Sequence, residues 1–231
     1  SPLEPHFART LLASEDLGCG GDALTLVSML SAPTVWYRPS RQNADEVYNA
    51  NCAQAEFCDR LGDHLTLLNV YRQWEENGCN YEWCKSNYLH HRALRQAKDI
   101  RGQLCEHMNK AGVRIKDSKR REKTAVLKAL CCGFYMQSAR MCSAGGGWLI
   151  ATEGVLVKPD AGSAVEGTTA EWLIFTELVG ATIANCIMRT VSIVEHSWLQ
   201  PYLPRLADVD MKRIVGEAAS KREVSKPVQE S

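Results

Sequence analysis

Apolar residues recur at helical spacing through most of the chain and at strand spacing towards its end. Residues 4–31 read as two helices, with Phe7, Leu11 and Leu12 inward in the first and Leu24, Val27 and Leu30 or Met29 inward in the second. The first ends at Gly18, Gly20-Gly21 reads as the turn, Asp22 as the cap of the second helix, and Pro33 as its stop. Val35-Trp36-Tyr37-Arg38-Pro39 reads as extended, 40–43 as a polar loop, and 44–60 as a third helix with Val47, Cys52 or Ala53, and Phe57 on its apolar side. The strongest pattern starts at Gly62, which breaks the third helix, and Asp63, which can cap a fourth. Leu65, Leu68 and Tyr71 form one stripe and Leu67, Val70 and Trp74 an adjoining one, so the apolar face suits a helix inside a bundle. That helix should stop near Asn77-Gly78. A short helix over 81–88 and a long one over 90–109 come next, the long one carrying Leu94, Ala97, Ile100 or Arg101, Leu104 and Met108 inward. Gly112 breaks it, 113–121 is a basic connector, and 123–142 reads as a last helix with Val126, Leu127, Leu130, Phe134 and Met141 inside.

Gly145-Gly146-Gly147 reads as a hinge or tight turn where the texture changes. Beyond it lie strand-like runs at 148–152, 155–158, 171–179 and 188–194. Trp172, Ile174, Thr176 and Leu178 alternate with Leu173, Phe175, Glu177 and Val179, so both faces of that strand carry apolar groups. Short strands punctuated by Gly and Pro fit a small closed barrel. The fold class expected is therefore α+β and multi-domain: an N-terminal helical bundle followed by a small β-barrel. The tail after Leu206 is polar and charged, and from Ser220 it reads as disordered.

Charge adds a second layer. Net charge is zero, which by itself argues against a nucleic-acid binder, but between Lys85 and Lys128 thirteen Lys/Arg face four Asp/Glu, and the remainder is acidic to match. Arg92, Arg95, Lys98 and Arg101 are spaced by three, so on a 3.6-residue helix each step falls about 60° short of a turn and the stripe winds around the rod. It is either a basic surface or a set of solvated helix faces. Ten cysteines include no Cys-x-x-Cys pair, and they read as reduced, mostly buried small hydrophobes. There is no run of eighteen apolar residues. No Gly-rich loop ending in Lys-Ser/Thr is present, and no nucleophilic Ser or Cys arrangement stands out. His64 reads as making local hydrogen bonds beside a helix cap, and His90-His91 as surface or helix-start residues.

The wording of particular stretches goes further. Gly62-Asp63-His64-Leu65-Thr66-Leu67-Leu68-Asn69-Val70-Tyr71, Trp83-Cys84, Leu94…Ala97…Arg101-Gly102-Gln103-Leu104, Cys132-Gly133-Phe134 and Glu171-Trp172-Leu173-Ile174-Phe175-Thr176-Glu177-Leu178-Val179 stand in this order, preceded by Pro2-Leu3-Glu4-Pro5, Leu26-Val27-Ser28-Met29-Leu30-Ser31 and Arg38-Pro39. Over residues 2–206 the chain resembles the C-terminal region of DEAH-box RNA helicases, with splicing helicases the most similar. The resemblance implies a helical ratchet-like, helicase-associated domain over 1–122, an OB-fold with a leading helix over 123–206, and a tail over 207–231. It implies a piece of a longer protein, with RecA-like and winged-helix modules upstream that hold ATP and magnesium, and no cofactor or catalytic residue in this segment.

By the same resemblance the partner is single-stranded RNA, with Arg92, Arg95, Lys98 and Arg101 on the long helix and Lys158 and Arg189 on the barrel as phosphate contacts. Arg101 is either such a contact or a structural salt-bridge partner. A second implied role is a platform for activator or spliceosomal proteins, and the implied compartment is the nucleus, with the cytoplasm as the alternative. Two departures from the family pattern bear on the barrel. Lys158-Pro159-Asp160-Ala161 replaces a His-Pro-Ser-Ser loop, and Ala181-Thr182-Ile183-Ala184-Asn185 replaces a Thr-Ser-Lys-x-Tyr segment.

Overall fold

The computed structural model describes residues 3–115, 122–142, 146–180 and 186–203. The connector over 116–121, the segment 181–185 and the tail therefore lie outside the described residues.

Seven helices come first: α1 (Pro5–Asp16), α2 (Gly20–Ser31), α3 (Ala44–Ala55), α4 (Asp63–Glu76), α5 (Tyr81–Ser86), α6 (His91–Lys110) and α7 (Lys123–Phe134). A 3-10 turn, Tyr135–Gln137, leads into β1 (Ser138–Cys142), β2 (Gly147–Ile150), β3 (Leu156–Pro159), β4 (Trp172–Val179) and β5 (Cys186–Val194), and a short α8 (His196–Leu199) comes last. The strands close into a barrel in the order β1-β2-β3-β5-β4. Among the described residues β3 and β5 pair in parallel, and the other pairs are antiparallel.

The described residues form two cores. The larger gathers Leu24, Leu68, Trp74, Leu94 and Leu127 with other helical residues, and the smaller fills the barrel with Trp148, Leu173, Phe175, Met188 and Val191 among others. Strand β4 serves both: Trp172 and Ile174 pack on the helical core while Leu173 and Phe175 turn into the barrel. This is why the sequence shows apolar groups on both faces of that strand. The buried residues of α7 join the helical core, so the chain passes from bundle to barrel through the turn at 135–137.

Several expectations are corrected. Residues 138–142 are a strand, not the end of a long helix. Met141 lies seven residues after Phe134 and so continues a helical stripe, but Ala139 and Met141 also alternate, and pairing with β2 and β4 decides for the strand. Of the glycine triplet, Gly145 lies outside the described residues and Gly147 opens β2 opposite Cys142, so the β region begins before it. Gly20 and Gly21 lie inside α2, because they are buried in the bundle and no side chain caps the helix at Cys19. Asp22 instead pairs with Arg72 of α4. Helix α3 stops at Ala55, before Phe57. Cysteines are less buried than expected: among ten, only Cys19, Cys84 and Cys131 are fully buried, and Cys52 and Cys58 are exposed. Burial pushes the Cys19 thiol up to about 12 and Cys84 up to about 11, so these two are poor nucleophiles.

Candidate nucleic-acid interface

The bundle and barrel are joined by three consecutive residues at the start of α4. Gly62, at φ +136°, forms a β-bridge with Ser192 of β5, and the Ile193 N–H donates to the Leu61 carbonyl at 2.8 Å. A Cβ on Gly62 would overlap Ser192 Cα and Oγ and the Val191 carbonyl, so only glycine admits this approach. Asp63 does not cap its own helix. Its carboxylate accepts from the Ser163 hydroxyl at 2.7 Å and from the backbone N–H groups of Ala164 and Val191 at 2.7 and 2.8 Å.

His64 is fully buried, and its hydrogen bonds reach across the molecule rather than locally. Nδ1 lies 2.7 Å from Ser192 Oγ and Nε2 lies 2.9 Å from Thr176 Oγ1. The His64 backbone N–H already donates to Ser192 Oγ at 3.3 Å. Both ring partners are hydroxyls, which can donate or accept, so either neutral tautomer satisfies both nitrogens. Burial holds the imidazole well below its usual range, at about 3, so it is neutral at ordinary pH.

This clasp sets the walls of a groove of about 740 Å³ between bundle and barrel. One wall is the end of α2 and the extended segment after it, including Trp36 and Arg38, with Asn51 and Gln54 of α3. The other is the 160–164 loop with Thr176, Glu177, Arg189 and Thr190. Arg38 donates to Gln54 Oε1 at 2.7 Å, and Gln54 Nε2 donates to the carbonyls of Tyr37 and Tyr88. Arg189 lies 3.5 Å from Asp160 and opposite Glu177 in the β4–β5 ladder. With Asp63, the described residues of the groove include two cations and three carboxylates, so this lining is polar without being basic.

Thr190 explains how Arg189 comes to face out. Strict alternation would put Arg189 on the side of Val191, which points into the barrel. Thr190 adopts φ +52°, and around it the inward residues are Met188 and Val191 while Arg189 is exposed.

The six sequence-predicted cations are not gathered in one place. Arg189 alone lines the groove. Lys158 is exposed on β3, beside Ile187 of β5. On α6 the stripe winds as its spacing predicts: Arg92 and Arg95 are exposed, Lys98 is already engaged, and Arg101 is half-buried. Lys98 lies over the Trp74 ring, 3.9 Å from Glu75 and 3.3 Å from Cys79 Sγ. Arg101 Nε donates to Thr25 Oγ1 of α2 at 2.9 Å, which makes it a tether between helices. Sequence reasoning missed Arg38, Gln54, Ser163, Thr176 and Ser192. Each is an ordinary polar residue whose role depends on a partner far away in the chain, although alternation along 35–38 does put Trp36 and Arg38 on one side. Among the described residues no group of His, Cys, Asp and Glu is placed to hold a metal ion, and no helix is long and apolar enough to cross a membrane.

Two family models match. Residues 4–67 match the helicase associated domain (HA2), ratchet-like, and residues 126–206 match the oligonucleotide/oligosaccharide-binding (OB)-fold. The chain is 34% identical over 203 residues to the pre-mRNA-splicing factor ATP-dependent RNA helicase prp22 of Schizosaccharomyces pombe; the match covers 88% of this chain and 17% of that relative. A ratchet-like bundle clasped to an OB barrel, in that order and with that likeness, makes this chain a member of the DEAH-box RNA helicase family, as its C-terminal helicase-associated and OB-fold region.

Proposed function

We propose that this region binds single-stranded RNA in the groove between bundle and barrel and closes the RNA path over a RecA-like motor. The observation that carries the reading is the groove itself, which runs along the seam of the two modules and is held open by the Gly62-Asp63-His64 clasp. Its walls offer amide and hydroxyl groups from Asn51, Thr176 and Thr190, and the guanidinium of Arg38. Such a lining supports sequence-tolerant contact with a strand. With its carboxylates it supplies little net attraction for phosphate, so the opposing wall of the path falls to the motor. Nucleotide and magnesium chemistry belongs to that motor, and this region alone hydrolyses no ATP. Since the relative is named a pre-mRNA splicing factor, the reading extends to splicing and hence to the nucleus.

The test is binding of a fluorescent oligouridylate to the 231-residue chain, read by anisotropy across a salt series. Binding that weakens with salt, and weakens further in Arg38→Gln, is the expected result. No binding at low salt would overturn the reading. If RNA binding is absent but a protein partner is recovered on this chain after nuclease treatment, the region is a protein platform instead.

A further inference from the structure

The groove leaves the free cations unexplained. Among the described residues Arg92 and Arg95 take part in no ion pair, although they stand on the exposed face of α6. Beside the start of that helix lies an aromatic surface. Tyr37 and Tyr88 stack with centroids 6.3 Å apart at 26°, and the His90 ring meets Tyr37 edge-on at 5.6 Å. Tyr37 remains 40% exposed.

The backbone beneath these rings is fixed. The Tyr37 N–H donates to the Tyr88 carbonyl at 2.9 Å, the His90 N–H to the Val35 carbonyl at 2.7 Å, and Gln54 Nε2 to the carbonyls of both tyrosines. In the extended segment Trp36 and Arg38 line the groove, and Tyr37, between them, is not among the described residues of its lining. One short segment thus lines the groove and carries the aromatic surface next to it.

Tyr88 adds an independent sign. It comes after α5 in the left-handed conformation, at φ +54°, where helices ordinarily place Gly or Asn. A bulky ring is held there against its backbone preference, and what the ring does is stack on Tyr37.

We propose that Tyr37, Tyr88, His90, Arg92 and Arg95 form a second contact for single-stranded RNA, outside the groove, in which a base stacks on the exposed Tyr37 ring and neighbouring phosphates meet the two arginines. Stacking on an aromatic face tolerates any base, and residues three apart on a helix set their Cβ atoms about 5–6 Å from each other, so two guanidinium groups can follow one backbone. The strand leaving the groove past Trp36 and Arg38 crosses directly onto this surface. This inference rests on the reading that the chain binds single-stranded RNA.

The experiment measures binding of the chain to a fluorescent oligouridylate and to an abasic ribose-phosphate oligomer of equal length. Tyr37→Ala should weaken the oligouridylate by about 5- to 150-fold, the range of one stacked base, and leave the abasic oligomer unchanged. Tyr37→Phe should retain affinity. Tyr88→Gly, which suits the left-handed backbone, should act like Tyr37→Ala without loss of fold. Arg92→Gln with Arg95→Gln should weaken both ligands and lower the salt slope by about 1.4. If Arg38→Gln weakens binding while these variants all behave as the parent chain, the outer contact is wrong and the groove reading stands. If Tyr37→Ala weakens both ligands equally, stacking is wrong. If the parent chain binds neither ligand at low salt, both readings fail.

Discussion

His64 Nδ1 lies 2.7 Å from Ser192 Oγ, across 128 positions of sequence and across the seam between bundle and barrel. With Nε2 on Thr176, both ring nitrogens of a fully buried imidazole are spent on holding two modules together. Both partners are hydroxyls that can donate or accept, so it is burial that keeps the ring neutral.

That burial makes stability depend on pH. The folded state holds the His64 pKa at about 3, below the ordinary 6.5, so the unfolded chain binds the extra proton over that window. The contribution is fully present above pH 6.5 and is lost as pH falls towards 3. The loss from this residue is about 2 kcal/mol at pH 5. Denaturant unfolding of the parent chain and His64→Gln, followed from pH 7 to pH 4, checks this. The variant should be less stable at pH 7 and have a flatter profile, and parallel profiles would contradict the assignment.

Gly62→Ala should be among the most damaging small substitutions in the chain. The residue sits at φ +136°, and the added methyl meets Ser192 and the Val191 carbonyl, both backbone-anchored. A loss of several kcal/mol is expected, read as a large drop in Tm or as insoluble protein. Gly112→Ala also has positive φ but nothing within 4 Å of the added carbon, so it should cost only about 1–2 kcal/mol and serves as the control.

Asp63→Asn should weaken the clasp by about 2–3 kcal/mol. The carboxylate accepts three hydrogen bonds from the barrel, and an amide in its place turns an NH2 towards donors. Beyond a lower Tm, faster hydrogen exchange of the Ala164 and Val191 amides is the specific sign. Protection unchanged at both would contradict the role.

Thr190→Gly should be neutral or stabilise by up to about 1 kcal/mol, since a β-branched residue at φ +52° is replaced by one that tolerates it. Thr190→Val keeps a β-branched residue at the same positive φ, so its Tm should show no such gain. Thermal melts of the two variants side by side decide the matter.

Wherever the apolar period runs long, the order of residues alone decides between helix and strand. Helix α4, with Leu65, Leu68, Tyr71 and Trp74 all buried, comes directly from spacing. So does the winding of the α6 stripe from exposed Arg92 to half-buried Arg101, because 3.6 residues per turn fixes it. Short or ambiguous periods were settled by pairing partners, as at β1, where Phe134 and Met141 satisfy a helix and Ala139 and Met141 satisfy a strand. The clasp and the groove belong wholly to tertiary structure. Asp63 has the look of a helix cap until Ser163, Ala164 and Val191 arrive from a hundred or more positions away. Charge obeys the same division: composition names the cations, but whether Lys98 and Arg189 are free depends on Glu75 and Asp160, which only folding sets beside them.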